Sequence, residues 1–254
     1  MITVITPTGD RPVSFALTAE FVLHQVIKES IQWIIIDDGT TPATQQFLFN
    51  FRGFPSHVTI DYHYRTPMPE KETGKFSPKS LAANLLEAIP RVRGEYVFIM
   101  EDDDWYSPLY FHDGLEKLKT YNATGPIWQC YYNLEQLTYK VLKNKGSSLC
   151  STCFKADLLP IFREVCRTCY GTNFKGIDYS FWKELDSRGI CTFIDEAHRY
   201  LCVGMKSLPG RKGIGIGHEG RKFYPDPEGK KLREWVGEAW ANRYLEIRHD
   251  MLRH

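Results

Sequence analysis

The sequence predicts an α/β fold: a mainly parallel, doubly wound sheet with helices on both faces, followed by a smaller, less regular C-terminal region. Three observations carry this. Short β-branched apolar runs alternate with helical periodicities over the first 120 residues. At 254 residues, 43% hydrophobic and 14% aromatic, the chain can bury a sizeable core. Polar clusters stand at the ends of three predicted strands, which is where open α/β sheets receive their ligands.

Ile2–Ile5 reads as a buried strand closed by Thr6-Pro7-Thr8-Gly9. Phe15, Ala19, Val22 and Val26 then share one helical face. Gln32–Ile36 is a second strand, stopped by Asp37-Asp38-Gly39, and Val58–Tyr64 is a third. Ser80–Ile89 is a helix with Leu81, Leu85 and Ile89 in register. Tyr96–Met100 is the fourth strand and runs into Glu101-Asp102-Asp103-Asp104. Ser107-Pro108 opens the next helix, with proline at its first position.

Further on, Ile127–Asn133 and Leu137–Leu142 form a hairpin, and Leu149–Phe154 is a strand before a helix ending near Tyr170-Gly171. Asp178–Leu185 is helical, Cys191–Ile194 and Tyr200–Met205 are strands, and Lys230–Ile247 is one long terminal helix. With no internal repeat or low-complexity linker, residues 1–254 are expected to form one domain with halves 1–124 and 125–254.

The net charge of +1 advertises neither nucleic acid nor membrane for the chain as a whole. The halves differ: residues 1–120 carry 16 acids and 11 bases, residues 121–254 carry 15 and 21. Eight of those bases lie between Lys206 and Arg233, either as a solvated face or as a segment that meets phosphates. No apolar run could span a membrane, and the N-terminus lacks the basic flank of a signal peptide. Seven cysteines, an odd number, fit reduced thiols better than a disulfide framework. The expectation is a soluble cytoplasmic protein with no membrane partner.

Four consecutive acids after an apolar strand repel one another, and a divalent cation relieves the repulsion. Magnesium and manganese take carboxylates together with substrate phosphates. The plainer reading is an acidic helix-entry loop.

Ile-Thr-Pro-Thr at 5–8, Ile-Asp-Asp-Gly at 36–39, Ala-Ala-Asn at 82–84 and Glu-Asp-Asp-Asp-Trp at 101–105 together resemble family 2 glycosyltransferases of the GT-A fold, closely over residues 1–110 and more weakly to about 220. The resemblance implies a GT-A-like fold whose first half binds a nucleotide sugar, a UDP sugar above all, and whose second half faces the acceptor. Thr6, Pro7 and Thr8 would line the nucleotide pocket, and Asp37 or Asp38 would bond the base. Asp102-Asp103-Asp104 supplies the Asp-x-Asp pattern, with Asp102 near ribose and sugar and Asp104 on the metal bridging the diphosphate. Asn84 matches a helix position of the family, though a helix-surface role serves equally. Lys79 reaches a phosphate or is simply solvated.

Sugar transfer to a hydroxyl needs a general base. Inverting members of the family place it in Gly-Glu-Asp before an aromatic helix; here Gly176-Ile177-Asp178 precedes Phe181, Trp182 and Leu185. Ile177 departs from the pattern, so Asp178 is the base or only the helix N-cap. Residues 206–222 are rich in glycine and bases and suit a mobile lid over a diphosphate, with Arg211 and Lys212 as its contacts. Gly215-x-Gly217-x-x-Gly220 is no dinucleotide fingerprint, because Pro225 and Pro227 follow it instead of a helix. The family's late histidine ligand would be His218, with His198 competing.

Cys150-x-x-Cys153 and Cys166-x-x-Cys169 are spaced as in a zinc ribbon, so structural zinc competes with four buried free thiols. A nucleotidyltransferase is disfavoured by the single base in Thr-Pro-Thr-Gly-Asp-Arg, and a non-enzymatic nucleic-acid-binding module leaves the acids unexplained. The Glu-Asp-Asp-Asp-Trp-Tyr run and the Pro-Gly-Arg lid further resemble phage-type glycosyltransferases, acting in the host cytoplasm. That implies hydroxymethylated bases of double-stranded DNA as acceptor; a soluble glycan or protein is the alternative.

Overall fold

The computed structural model describes residues 1–41, 43–50, 53–68, 79–172, 176–197, 200–213 and 222–253. Its main sheet has seven strands. β1 (Ile2–Thr8), β2 (Ile31–Asp37), β3 (Val58–Tyr64) and β4 (Tyr96–Ile99) pair in parallel in the order β3-β2-β1-β4. Beyond β4 come β9 (Cys153–Lys155), antiparallel to both neighbours, then β6 (Ala123–Pro126) and β10 (Thr192–Asp195).

A second sheet of five strands runs β12 (Tyr224–Pro225), β8 (Thr138–Lys143), β7 (Trp128–Asn133), β11 (Cys202–Lys206) and β5 (Asp104–Tyr106). The acid run therefore does not lead straight into a helix. Its last member begins a short strand that carries the chain from one sheet to the other.

Alternation along the central strands sends side chains into two cores. Ile2, Val4, Trp33, Ile35 and Phe98 face the first, and Ile5, Ile34, Ile36, Val97 and Ile99 face the second. The first core is covered by α1 (Pro12–Leu23), α2 (Ala43–Asn50), α4 (Tyr110–Leu118), α7 (Lys230–Val236) and α8 (Glu238–Met251), with one face of the second sheet. The second is covered by α3 (Lys79–Ala88), α5 (Leu159–Thr172) and α6 (Ile177–Ser187). This is the predicted doubly wound arrangement.

Several expectations are corrected. Val26 lies past the end of α1 and is 61% exposed; its amide donates to the Pro108 carbonyl at 2.8 Å, so Pro108 belongs to a turn and α4 starts at Tyr110. The long terminal helix breaks at Gly237, whose φ of 82° and ψ of 162° end α7 and begin α8. Leu149–Ser151 is a 3-10 turn, and only Cys153–Lys155 is strand.

All seven cysteines are free. Cys150 and Cys153 belong to the first core and Cys166 and Cys169 to the second, so the sheet separates the two pairs and the four cannot share a zinc ion. Among the described residues no helix is long and apolar enough to cross a membrane.

Candidate active site

β1, β2 and β4 are parallel, so their carboxyl ends open on one side, and the polar clusters at those ends meet. Asp37 ends β2 and Asp38 follows it, both fully buried. Asp37 accepts from the Gly39 amide at 2.9 Å and the Tyr62 hydroxyl at 3.0 Å, while burial pushes its carboxyl up. Asp38 accepts from Arg65 at 3.0 Å, from the Ser80 hydroxyl and from Arg211. Asn84 is buried, not on the helix surface, and its Oδ1 holds Arg65 Nε at 2.8 Å. It thus acts on Asp38 through Arg65.

Across the crevice stand the consecutive acids. Asp102 accepts from Thr8 Oγ1 and Arg11 Nη1, each at 2.7 Å. Arg11 lies 3.7 Å from Asp103, and the buried Lys206 ammonium reaches Asp103 at 3.3 Å and Asp104 at 2.8 Å. Burial raises the carboxyl of Asp104 to about 6 despite Lys206, and burial with repulsion from Asp104 and Asp103 lifts Glu101 well above the usual range. Asp104 Oδ2 is buried without a hydrogen-bond partner.

Seven acids (Asp10, Asp37, Asp38 and Glu101–Asp104) thus meet four cationic side chains, Arg11, Arg65, Lys206 and Arg211. Hard oxygen donors in excess, one of them unpartnered, fit magnesium or manganese.

The start of the expected lid is docked on the crevice. The Arg211 amide donates to the Asp10 carbonyl at 3.1 Å, and Arg11 Nε donates to the Arg211 carbonyl at 2.6 Å. Gly210 has φ 109°, and a Cβ there would stand 2.4 Å from the Asp10 carbonyl oxygen, so only glycine permits this approach. Lys212 is exposed. His218 and His198 lie outside the described residues, as do residues 214–221 of the lid.

Asp178 sits in the first turn of α6, with Gly176 at the N-cap position. Its carboxylate accepts from the Tyr179 amide at 2.8 Å and the Leu149 amide, which ties α6 to the Leu149–Ser151 turn. Its charge is felt by Glu101, and burial raises its own carboxyl.

Beside Asp104 the second sheet continues the crevice wall. Asp104, Gly204, Tyr131 and Lys140 pair in one row across β5, β11, β7 and β8, so they share a face, and Lys140 stands over the Phe223 ring.

Two expected pocket residues turn elsewhere. Thr6 Oγ1 accepts from Trp33 Nε1 at 2.9 Å inside the first core, and Lys79 stands over the Tyr170 ring at 5.8 Å. Pro7 is buried within β1. Sequence reasoning passed over Arg11, Arg65, Ser80 and Lys206 as site residues. Arg11, directly after the first strand's polar turn, and Lys206, at the head of the basic 206–222 segment, carried positional signals.

Solved structures share this architecture. The chain aligns with residues 1–349 of S. aureus TarS in complex with UDP at 13% identity and TM-score 0.56, over 81% of this chain and 60% of that one. The same protein with UDP-GlcNAc gives 13% identity, TM-score 0.53, and coverage of 83% and 60%. The mannosyltransferase PcManGT from Pyrobaculum calidifontis, with GDP-Man and Mn2+, gives 13% identity and TM-score 0.55, over 98% and 73%.

The chain has a GT-A-like fold.

It spans about 60% of the length of the TarS chains it matches. No protein-family model and no curated protein matches the sequence.

Proposed function

We propose that this GT-A-like chain is a glycosyltransferase that moves a sugar from a nucleotide sugar, a UDP sugar in preference, to a hydroxyl acceptor with a divalent cation bound. The observation that carries the reading is the convergence of Thr8, Asp37-Asp38 and Asp102–Asp104 at the carboxyl ends of three parallel strands. TarS with UDP and UDP-GlcNAc, and PcManGT with GDP-Man and Mn2+, are consistent with donor and ion.

In this reading Asp37 or Asp38 receives the base and Asp102, braced by Thr8 and Arg11, the ribose and sugar. Asp104 and Asp102 hold the cation, with His218 its further candidate. The bound cation would offset the charge of the departing diphosphate. Arg11, Lys206 and Arg211 already stand at the acids and turn to the diphosphate as further counter-charges, with Lys212 beside them. Asp178, across from Glu101, takes the acceptor hydroxyl's proton; its burial keeps it basic enough for that role. A base opposite the leaving group gives inversion.

For the acceptor, the surplus of bases after residue 120 and the row from Asp104 to Lys140 support an anionic polymer. DNA bearing hydroxymethylated pyrimidines is the acceptor we infer.

The test is nucleotide release from a panel of nucleotide sugars with manganese, using hydroxymethylated DNA, unmodified DNA, soluble glycans or no acceptor. Release stimulated by the hydroxymethylated DNA alone is expected. Stimulation by a glycan would move the acceptor assignment, and undiminished turnover in EDTA or in Asp104→Ala would overturn the cation's role.

A further inference from the structure

Two thiols meet Asp104 from behind the crevice. Cys150 comes from the Leu149–Ser151 turn and Cys202 from the start of β11, while Asp104 begins β5. The two sulfurs are 3.7 Å apart, and a carboxylate oxygen of Asp104 lies within 4.8 Å of both. Asp104 is only 2% exposed, and its Oδ2 has no hydrogen-bond partner. A disulfide needs sulfurs about 2.05 Å apart. Two thiolates on one tetrahedral zinc, at about 2.3 Å each, stand roughly 3.8 Å apart. The Cys202 thiol donates to Cys150 Sγ at 3.7 Å, and two ligands of one ion could keep the same spacing without moving the chain.

We propose that Asp104, Cys150 and Cys202 form a site for a thiophilic divalent cation such as zinc or cadmium, whose binding removes Asp104 from the acid cluster. Two of the three donors are soft, which separates this site from the all-oxygen cluster suited to manganese or magnesium. Charge balances. On binding, each thiol releases its proton to solvent, and the ion's two positive charges replace them. The Lys206 ammonium, 2.8 Å from Asp104 Oδ1, stays as counter-charge, so a desolvated region gains no net charge. The Asp104 carboxylate, already beside the Cys150 thiol, gains a ligand. Three protein donors leave a fourth position open, as in exchangeable zinc sites. Zinc should therefore inhibit by competing for Asp104; this inhibition, unlike the binding, rests on the proposed transferase reading.

The experiment titrates the metal-free full chain with cadmium and follows thiolate-to-metal charge-transfer absorption. The expected result is a band saturating at one ion per chain, absent with manganese, lost in Cys150→Ala and in Cys202→Ala, and kept in Cys166→Ala, whose thiol lies in the other core. Cys202→Ser, closer in size, serves where alanine perturbs folding, as judged by circular dichroism. A band of full amplitude in the Cys150→Ala, Cys202→Ala chain, or no band at one equivalent of cadmium, overturns the site. Zinc should also inhibit sugar transfer by the native chain and spare the double variant. Cadmium binding with equal zinc inhibition in both chains overturns the competition for Asp104. Cadmium binding without turnover in either chain sinks the transferase reading and leaves the site standing.

Discussion

Asp102, Asp103 and Asp104 coexist in a desolvated crevice because Thr8, Arg11 and Lys206 compensate them from within the chain. The compensation is incomplete, and burial leaves Glu101, Asp102 and Asp104 with raised carboxyls. Raised groups bind protons more tightly folded than unfolded, so the ligand-free fold gains stability as pH falls through about 6, the Asp104 value, towards the ordinary carboxylate range. Asp104 adds up to about 1.4 kcal/mol per pH unit in that window. Melting in EDTA should therefore shift upward from pH 7.5 to pH 5, and manganese should stabilise more at the higher pH. A melting temperature that drops steadily over this range would contradict the raised carboxyls.

For Asp178 as the proposed base, Asp178→Asn should slow the proposed transfer by about two to four decades with donor affinity nearly unchanged, the usual loss for a general base. Rates near normal would reduce Asp178 to the clasp between α6 and the Leu149 turn. Residue types alone revealed the acids, because four carboxylates in a row are chemically conspicuous. Of the cations, Arg211 was legible in its glycine-rich basic segment, whereas the pairing of Lys206 with the acids was not, because it spans about a hundred residues.

Elements with strict periodicity were readable. Val58–Tyr64 has the predicted bounds, and the hairpin of β7 and β8 is antiparallel as expected. Short elements were not: β5, β6 and α2 have too few residues to show a period, and the two strands are defined by pairing with β11 and with β9 and β10. Gly237 was missed for another reason. The apolar pattern continues through it while the backbone turns. A Cβ at Gly237 would meet nothing within 4 Å, yet its positive φ with extended ψ is essentially reserved for glycine. Gly237→Ala should cost about 1–3 kcal/mol through backbone strain alone, read as a lower urea midpoint at unchanged slope. An unchanged midpoint would mean that α7 and α8 can merge into the single helix the sequence suggested.

The docked lid edge allows a second test at this scale. Arg211→Ala should release residues 207–213, raising their amide exchange in the ligand-free chain and weakening donor use more than acceptor binding. Exchange equal to that of the native chain would show that Asp10 and Arg11 hold the segment without Arg211.

At the scale of the molecule, β1, β2 and β4 belong to both cores, so neither core can be lost while the other stays covered. Trp33, Trp105 and Trp235 report on the first core and Trp182 on the second. Denaturant curves from single-tryptophan variants retaining Trp33 or Trp182 should coincide, as for one cooperative unit. Separated midpoints would divide the molecule along its sheet. The doubly wound plan was legible because alternation of strand and helix is a long-range pattern; the second sheet was not, because its strands come from positions between 104 and 225.

The internal ion pairs of the crevice also set the kinetics of ligand arrival. In the proposed reading, a donor base that takes Asp38 must displace Arg211, and a cation that takes Asp104 Oδ1 must displace Lys206. Entry at Asp38 and at Asp104 Oδ1 is thus a substitution for an internal ion pair, while Asp104 Oδ2 needs no such exchange. The observed association rate should level off with ligand concentration at the rate at which those internal bonds open.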